Sequence, residues 1–375
     1  MLKRLRSLSK RLFIVLNGVA VAAIFLSYLA TLISPERFPL LAFFGVAYGP
    51  ILLVNILFIL FWLLVKKRLA LISSIAILIG FVPLSNYFQI NPTFSKINPP
   101  EPHIRVVSQN VKLFGWYNWS ENIANRDDMM SSLEKINGDI YCFQEFFHNS
   151  GPGIFETKEL LKLVLDAPHV YDEYTATVGK TQHYGIAIYS KYPMVNTGQI
   201  RFEGEKNNNM CIYTDVVVYE DTIRIYNVHA ASIRFTDTHY AVVKELSSQK
   251  EKAKIEISDF VGIAKRMANA YRRRAQQVEK IKAHALESPY PVIICGDFND
   301  TPVSYSYATI SDGLEDAFKV SGSGIGSTYI GAFPSFRIDY IFHSTEYKSG
   351  NYTTHPEEVS DHRAISCDLY LEESI

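Results

Sequence analysis

The sequence lacks the features that define several common protein classes. Its four cysteines, Cys142, Cys211, Cys295 and Cys367, form no Cys-x-x-Cys pair and no Cys/His pattern at zinc spacing. This excludes a disulfide framework and a thiolate metal site, and we predict that the four are small buried hydrophobes. Neither sign of charge is in excess, because 37 Lys and Arg balance 38 Asp and Glu. A chain without a global basic field is a poor candidate for a non-specific nucleic-acid coat.

Charge is also missing from long stretches near the N-terminus. Residues 12–33 and 38–65 contain no charged side chain, and each run exceeds the roughly 20 residues that a helix needs to cross a bilayer. Residues 69–84 are shorter, but the uncharged stretch continues to residue 90 and includes Tyr87 and Phe88, which suit the membrane interface. We predict a membrane anchor over residues 1–90 with three transmembrane helices, so that residues 12–90 contact the lipid bilayer.

Two alternatives to this anchor stay open. The third segment could lie along the membrane surface rather than cross it. The first could be a cleaved signal peptide, but its apolar run is longer than the roughly 7–15 residues of a signal h-region and lacks a clear small-x-small exit. A transporter-like role is disfavoured, because the spans contain no ionisable residue.

The positions of the cations predict the orientation of the anchor, since short loops rich in Lys and Arg stay in the cytoplasm. The loop between the first two spans has only Arg37, beside Glu36. Cations instead precede the first span and separate the second from the third: Lys3, Arg4, Arg6, Lys10, Arg11, Lys66, Lys67 and Arg68. We therefore expect an integral protein of a bacterial inner membrane, with everything after about residue 90 on the extracytoplasmic, periplasmic side.

The remainder of the chain has the pattern of an α/β domain. Residues 91–102 are rich in proline and turn formers and are predicted to be a linker, so the soluble domain comprises residues 103–375. A cap residue at Asn125 and a glycine stop at Gly138 predict a helix between them. One or two long helices are expected over residues 238–287. Short apolar runs predict strands at residues 104–107, 140–143, 185–189, 212–218, 223–228, 292–295, 338–342 and 364–369.

A basic cluster, Arg272, Arg273 and Arg274, falls in the long helical stretch. A solvated helix face explains it adequately, and a surface for phosphate groups of lipid or nucleic acid is the alternative. The pattern alone does not choose between them.

Polar side chains collect where the predicted strands end. Such residues pack poorly but are well suited to holding a phosphate and a hard cation, and each alone is commonly a turn former. They are Asn110 after the first strand, Gln144 and Glu145 after the second, Asn227 and His229, Asp297 and Asn299, Asp339, and Asp361 with His362. Their recurrence at strand ends predicts one shared site.

These segments resemble the motifs of the endonuclease/exonuclease/phosphatase superfamily, and they occur in the family's order. The most specific are Gly-Asp-Phe-Asn at residues 296–299 and Ser-Asp-His at 360–362, joined by Gln-Glu at 144–145 and Ile-Asp-Tyr-Ile at 338–341. The resemblance covers residues 103 to about 372. It implies a four-layer α/β/β/α sandwich, two packed mixed sheets flanked by helices. The stretch 296–305 also looks like a membrane-attached bacterial branch of the superfamily.

Chemistry and resemblance agree on the roles of these residues. Glu145 and Asp361 are hard oxygen ligands suited to Mg²⁺ or Mn²⁺, and the amide of Asn110 is a further candidate ligand. Asp297 is placed to take a proton from the attacking water. Asp339 is expected to orient His362 and favour its charged form, which stabilises charge on the phosphate.

Three further side chains are expected to hold the substrate. Asn110 and Asn299 supply amides that bind phosphate oxygens without adding negative charge. His229 is predicted to bond a phosphate oxygen or protonate the leaving group, with a satisfied core histidine as the alternative. Together with His362, these residues form the predicted phosphate-binding set.

The resulting prediction is a membrane-anchored, divalent-metal-dependent hydrolase of phosphate esters. A phosphodiesterase, a nuclease and a phosphatase all remain open, as do lipid, nucleic-acid and small-molecule substrates; no obligatory protein partner is inferred. Lys112 stands where apurinic-site endonucleases usually have a metal-binding acid, which argues against DNA repair and against two metals. A catalytically silent binding or scaffold protein with the same fold is the alternative.

Overall fold

The computed structural model describes residues 2–91, 98–118, 123–151, 153, 155–202, 209–233, 257–331 and 335–371. The chain divides into two compact units, one of Met1–Phe88 with Asp300–Ala308 and one of Gln89–Asn299 with Thr309–Ile375. The predicted anchor and soluble domain are each continuous in sequence. The division differs from that prediction, because residues 300–308 group with the N-terminal helices.

The first unit is helical, with α1 (Leu2–Leu32), α2 (Leu40–Val46), α3 (Tyr48–Val65), α4 (Lys67–Ile79) and α5 (Phe81–Tyr87). Two stretches, Lys10–Leu32 and Tyr48–Val65, are long and apolar enough to cross a membrane, and α4 with α5 would make a third span bent by 71°.

Proline accounts for both interruptions of the predicted spans. The ring of a proline clashes with the carbonyl group four residues earlier in a continuous helix. Pro50 excludes a regular helix through Val46, and the chain breaks at Ala47 between α2 and α3. Pro83 likewise excludes a regular helix through Ile79, at the junction of α4 and α5.

Polar side chains link three helices of this unit. Asn17 of α1 donates to Ser73 of α4 (2.6 Å) and accepts from the indole of Trp62 in α3 (2.9 Å). Ser73 donates in turn to Asn55 of α3 at 3.0 Å. All four side chains are buried, so each polar group finds its partner inside the bundle, as an apolar surrounding requires.

The segment Asp300–Ala308 contributes Val303 to the core of the same unit, beside Ile24, Tyr48 and Leu52. Gly45 allows this approach, since a Cβ atom there would lie 2.3 Å from the carbonyl oxygen of Val303. Any larger residue at position 45 would displace the segment.

The second unit contains two six-stranded sheets, ordered β11-β12-β1-β2-β4-β3 and β5-β6-β7-β8-β10-β9. The strands are β1 (His103–Asn110), β2 (Ile140–Asn149), β3 (His169–Val178), β4 (Gln182–Ser190), β5 (Met194–Ile200), β6 (Met210–Val218), β7 (Asp221–His229), β8 (Val292–Asp297), β9 (Leu314–Asp316), β10 (Asp339–Ser344), β11 (Tyr347–Thr354) and β12 (Ile365–Leu371).

The two sheets pack face to face through a core that includes Val106 and Ile188 from one sheet and Ile225 and Ile293 from the other. Helices α6 (Ile123–Ile136), α7 (Thr157–Val164), α8 (Ile257–Leu286), α9 (Tyr305–Ser311) and α10 (Ala317–Ser321) complete the chain. The outer face of the first sheet packs against α6 and α7. The predicted fold, two mixed sheets flanked by helices, is confirmed.

The directions of the strands determine where the polar strand ends lie. In each sheet one pair runs parallel, β1 with β2 and β7 with β8, and the other pairs are antiparallel. Asn110, His229 and Asp297 are the last residues of β1, β7 and β8. Glu145 lies within β2, next to Gln144, which is the register partner of Asn110. Two predicted polar residues have a different role: the Asn227 amide donates to the backbone of Phe143 (3.0 Å) and accepts from Gln144 (2.7 Å), joining the sheets.

Each predicted strand overlaps an observed one, and the helix predicted after Asn125 is α6. The second half of the predicted 238–287 helical stretch is α8, whereas residues 238–256 lie outside the described residues. All four cysteines are free and buried, as predicted.

Candidate active site

Asn110 connects the polar side chains that follow the strands. Its side-chain nitrogen donates to Asp297 Oδ2 at 3.1 Å and to Glu145 Oε1 at 3.3 Å. One amide therefore joins the end of β1 to carboxylates from both sheets. Its Oδ1, which the prediction offers to a metal or a phosphate, accepts from the backbone N–H of Lys112 at 3.0 Å.

Asp297, Asp339, His229 and His362 surround the same point. His362 Nδ1 lies 2.9 Å from Asp339 Oδ2, and its Nε2 lies 3.8 Å from Asp297 Oδ2. His229 Nε2 is 3.9 Å from both Glu145 Oε1 and Asp297 Oδ2. The structure thus brings together side chains that are up to 252 positions apart, from Asn110 to His362.

Burial and neighbouring charge shift the ionisation of this group. Burial raises the pKa of Asp297, and the charge of Asp339 raises it further against the opposing effect of His362. Burial also raises the pKa of Glu145, although His362 and the Asn110 amide oppose that shift. The pKa of His362 rises to about 10, because the Asp339 and Asp297 carboxylates outweigh the burial that disfavours its charged form. His362 is therefore an imidazolium at neutral pH.

Backbone geometry at the site is unusual. Glu145 has φ +49° and Asn299 has φ +54°, both in the left-handed region that non-glycine residues occupy at a cost of roughly 1–3 kcal/mol. Glu145 lies at a β-bulge, since the β2–β4 register shifts between Phe143 and Phe146. A bulge redirects a side chain, which here points Glu145 towards Asn110.

Gly296 keeps the two parallel strands of the second sheet close together. It has φ +139°, and a Cβ atom there would lie 2.0 Å from the carbonyl oxygen of Val228. No other residue fits between β7 and β8 at this point. The glycine of the Gly-Asp-Phe-Asn motif is therefore required for the separation between His229 and Asp297.

Asn299 supports the site through the backbone. Its N–H donates to Asp297 Oδ1 at 2.8 Å, and its side-chain nitrogen donates to the carbonyl oxygen of Ala230 at 3.1 Å. It therefore orients the carboxylate of Asp297 and ties the loop after β8 to the end of β7. A direct contact of Asn299 with phosphate stays a prediction.

Asp361 lies at the outer side of the group. Its Oδ2 is 3.0 Å from Lys112 Nζ, and its negative charge contributes to raising the pKa of Glu145. The preceding residue fixes this loop, because Ser360 Oγ donates to the carbonyl oxygen of Asn110 at 2.8 Å.

The donor set fits a divalent cation. Ligand atoms of Asp297, Asp339 and His362 all lie within 4.8 Å of one another. Because His362 Nδ1 is engaged by Asp339, that pair is better suited to acid–base chemistry than to ligation. Glu145 and Asp297 present carboxylate oxygens, the ligands that hard cations prefer. Burial raises the pKa of both carboxyl groups, and a bound cation would favour their charged forms.

One supporting residue of the site, Arg274, is not predicted from the sequence. Arg274 of α8 is fully buried, and its guanidinium donates to the backbone carbonyl of Asn299. Arg272 in the same cluster is exposed and donates to Asn269 at 3.1 Å. Neither interpretation of the cluster describes Arg274. The helical spacing does contain the signal, because Arg274 falls on the buried face with Tyr271, Ala275 and Val278.

Two family models match the chain. The model of the endonuclease/exonuclease/phosphatase family matches residues 107–362, and a domain of unknown function (DUF8431) matches residues 10–87. No curated protein matches the chain. Because the first match covers most of the chain and all the strand ends described above, the chain belongs to the endonuclease/exonuclease/phosphatase family.

Solved structures of other proteins are similar to this chain, and the first of the two that follow supports the fold. An endonuclease/exonuclease/phosphatase protein from Beutenbergia cavernae is 15% identical, covers 72% of both chains and superposes with a TM-score of 0.51. The catalytic domain of human Nocturnin, determined with a bound sulfate anion, is 16% identical over 76% of this chain and 100% of its own, with a TM-score of 0.49. At these identities the likeness extends to the fold alone.

Proposed function

We propose that this protein is a divalent-metal-dependent hydrolase of phosphate esters. The observation that carries the proposal is the convergence of Asn110, Glu145, Asp297 and His362 at one point, with an excess of buried carboxylate and one imidazolium. Phosphate esters resist attack because the nucleophile meets a shell of negative charge, so catalysis needs a base together with cationic and hydrogen-bonding groups. The site provides these groups on rigid strand ends.

Each side chain has a role that its position supports. Asp297, oriented by the backbone N–H of Asn299 and by Asn110, accepts a proton from the attacking water. His362, held charged by Asp339, donates hydrogen bonds to the phosphate oxygens as negative charge builds up. His229, with its Nε2 3.9 Å from Glu145 Oε1 and from Asp297 Oδ2, bonds a phosphate oxygen or protonates the leaving oxygen.

Glu145 and Asp361 are the proposed metal ligands, with Asp297 close to Glu145 through the shared amide of Asn110. Mg²⁺ or Mn²⁺ bound there supplies Lewis-acid stabilisation of the phosphate charge. Mg²⁺ retains several of its own waters and needs few carboxylates, in agreement with the small number of acids present.

The proposed setting is the bacterial inner membrane, with the catalytic domain on the periplasmic side. The supports are the two apolar helices and the cations Lys66, Lys67 and Arg68 beside them. A catalytic domain attached to the membrane works beside lipid headgroups, so phospholipids or other envelope phosphates compete with nucleic acid as the substrate. A reporter fused after Ile375 should be active only outside the cytoplasm; cytoplasmic activity would contradict this orientation.

The test of the activity uses the full chain in detergent. We expect hydrolysis of bis(p-nitrophenyl) phosphate or p-nitrophenyl phosphate with Mg²⁺ or Mn²⁺, suppressed by EDTA and abolished in Glu145→Gln. The matched control is Glu159→Gln, an exposed glutamate of α7 that pairs with Lys162. Equal background rates for wild type and Glu145→Gln would favour a binding or scaffold protein. A panel of lipids, nucleotides, DNA and inositol phosphates then identifies the substrate class.

A further inference from the structure

The chain reverses sharply after β1, and the reversal places Lys112 at the rim of the site. Lys112, Leu113 and Phe114 have φ of +43°, +52° and +53°, so three consecutive non-glycine residues are left-handed. Such a run persists only where the surrounding structure enforces it. Leu113 and Phe114 are buried, and Phe114 packs edge-to-face on Phe146 at 5.8 Å. Burial of these two residues leaves Lys112 on the side of the carboxylates.

Lys112 contacts the site through both of its ends. Its backbone N–H donates to Asn110 Oδ1 at 3.0 Å, and its ammonium lies 3.0 Å from Asp361 Oδ2. The Ser360 hydroxyl bonded to the Asn110 carbonyl holds the same two segments together. The position of the ammonium is therefore defined by two backbone segments and not by the flexible side chain alone.

This ion pair contributes little to stability. The side chains of Lys112 and Asp361 are 43% and 28% exposed, and pairs of this exposure typically contribute very little. The ammonium is nevertheless placed to act on the site, because it lies 3.0 Å from Asp361 Oδ2 while the backbone N–H of the same residue is bonded to Asn110. A solvent-facing cation at the rim of a carboxylate group is accessible to an incoming anion.

We propose that the Lys112 ammonium binds a non-bridging oxygen of the substrate phosphate and limits the site to one divalent ion. The inference rests on the proposed phosphoesterase function. A lysine ammonium is a compact point charge suited to phosphate. The ammonium engages Oδ2 of Asp361, which leaves Oδ1 for the one ion proposed to bind Glu145 and Asp361. A second divalent ion would have to displace the ammonium from Oδ2, and repulsion between the two cations disfavours its binding.

The first experiment counts metal ions on the full chain in detergent. Mn²⁺ titration followed by electron paramagnetic resonance should give one ion per wild-type chain. Lys112→Asp should bind a second ion, because the cation is replaced by another oxygen ligand. Lys162→Met removes a comparable lysine, paired with Glu159 at 3.0 Å outside the site, and should leave the count at one. Two ions on the wild type would overturn the proposal.

The second experiment measures anion recognition. Loss of a charge-assisted hydrogen bond should raise the KM for bis(p-nitrophenyl) phosphate and the inhibition constant of inorganic phosphate by about 10- to 100-fold in Lys112→Met, with kcat changed less. Lys112→Arg should restore binding, and Lys162→Met should match the wild type. Phosphate inhibition in Lys112→Met equal to that of Lys162→Met would refute the role.

Failure of this proposal can be distinguished from failure of the proposed function. If no substrate is hydrolysed by the wild type, the phosphoesterase function fails. The Mn²⁺ count and calorimetric binding of inorganic phosphate then still test the proposed role of Lys112. If wild-type hydrolysis is present but unchanged in Lys112→Met, only the inference about Lys112 fails. Thermal unfolding of each variant, with Lys112→Gln as a second substitution, identifies any that fail to fold.

Discussion

Buried carboxylates occur in the interior of the sheets and at their polar edge, and in both regions they face a side chain on the neighbouring strand. The two regions differ in the charge of that facing side chain. In the interior, Asp215 of β6 faces Arg224 of β7, and Arg105 of β1 faces Asp368 of β12. At the edge, Asp339 of β10 faces Asp297 of β8 in register, a pair of like charges. Opposite charges across strands stabilise a sheet, whereas like charges destabilise it.

The pKa shifts follow this difference. Burial opposes ionisation of Asp215, yet hydrogen bonds from Arg224 at 2.6 and 2.9 Å leave its pKa lowered. Asp368 behaves likewise with Arg105 and Asn351. Asp297, buried without an arginine partner, has a raised pKa. The framework pairs these buried carboxylates with arginines, whereas at the edge two carboxylates share His362, an arrangement typical of a functional site.

The largest expected effect concerns Asp297→Asn. Removal of the proposed base should reduce hydrolysis by about 10²- to 10⁴-fold. Stability should change little, because the substitution relieves the repulsion from Asp339 and also removes the attraction to His362. Initial rates and thermal unfolding measure the two effects. A large loss of stability in this variant would remove the contrast between edge and interior.

Asp215→Asn should show the converse. It leaves the buried Arg224 guanidinium without its counter-ion, and breaking such a pair costs about 3–5 kcal/mol of unfolding free energy. The rate per folded molecule should stay near that of the wild type. Asp221→Asn, an exposed position on the neighbouring strand β7, is the control and should be neutral in denaturant unfolding. A stable Asp215→Asn protein with impaired turnover would reverse the proposed division of roles.

Asp339→Asn tests whether the Asp339 carboxylate keeps His362 charged. Without the Asp339 carboxylate, the pKa of His362 should fall from about 10 towards its ordinary value of 6.5, since burial then dominates. Histidine titration by NMR on metal-free protein, compared with the wild type, measures the shift. An unchanged His362 titration would mean that Asp297 alone maintains the imidazolium.

Arg274→Met tests a buried arginine that contacts the loop after β8. Loss of its bond to the Asn299 carbonyl should lower kcat by about 10-fold with little change in KM, because Asn299 orients Asp297. Arg274→Lys should recover part of the rate, and Arg272→Met on the exposed face should have no effect. Equal losses in both Met variants would show that Arg274 has no specific positioning role.

The smallest effect concerns acid stability. Asp215 and Asp368 have lowered pKa values in the folded state, so their stabilisation is present above the unfolded value of about 3.9 and is lost as pH falls through the folded values. Unfolding free energy should therefore decrease below about pH 4. Asp368→Asn should flatten this slope in denaturant titrations, and an unaltered slope would contradict the assignment.

Sequence patterns predicted the central strands of both sheets but not their margins. Runs such as residues 223–228 and 292–295 are uniformly apolar because both faces of those strands are covered. The strands that were not predicted, β3, β5, β9 and β11, lie at the ends of the sheet orders. Marginal strands such as β5, with Asn196 and Thr197 exposed, lack that apolar signal.

The candidate site was predicted at the level of its residue types and less well at the level of its contacts. Strand-end Asn, Glu, Asp and His residues were recognisable because no packing role explains them. The buried role of Arg274 was hidden inside a basic cluster, and the partner of Lys112 lies 249 positions away at Asp361. Such pairings are not encoded in local spacing.

The sequence by itself determined the apolar helices, the core strands and the order of the polar motifs, because hydrophobic periodicity and strand-end chemistry are local properties of a chain. Only the tertiary structure decided that Asn110 bridges carboxylates of two sheets, that Asp339 faces Asp297, and that residues 300–308 group with the N-terminal helices. The physical reason is that ionisation and hydrogen bonding depend on distance and burial, which arise only when remote segments pack together.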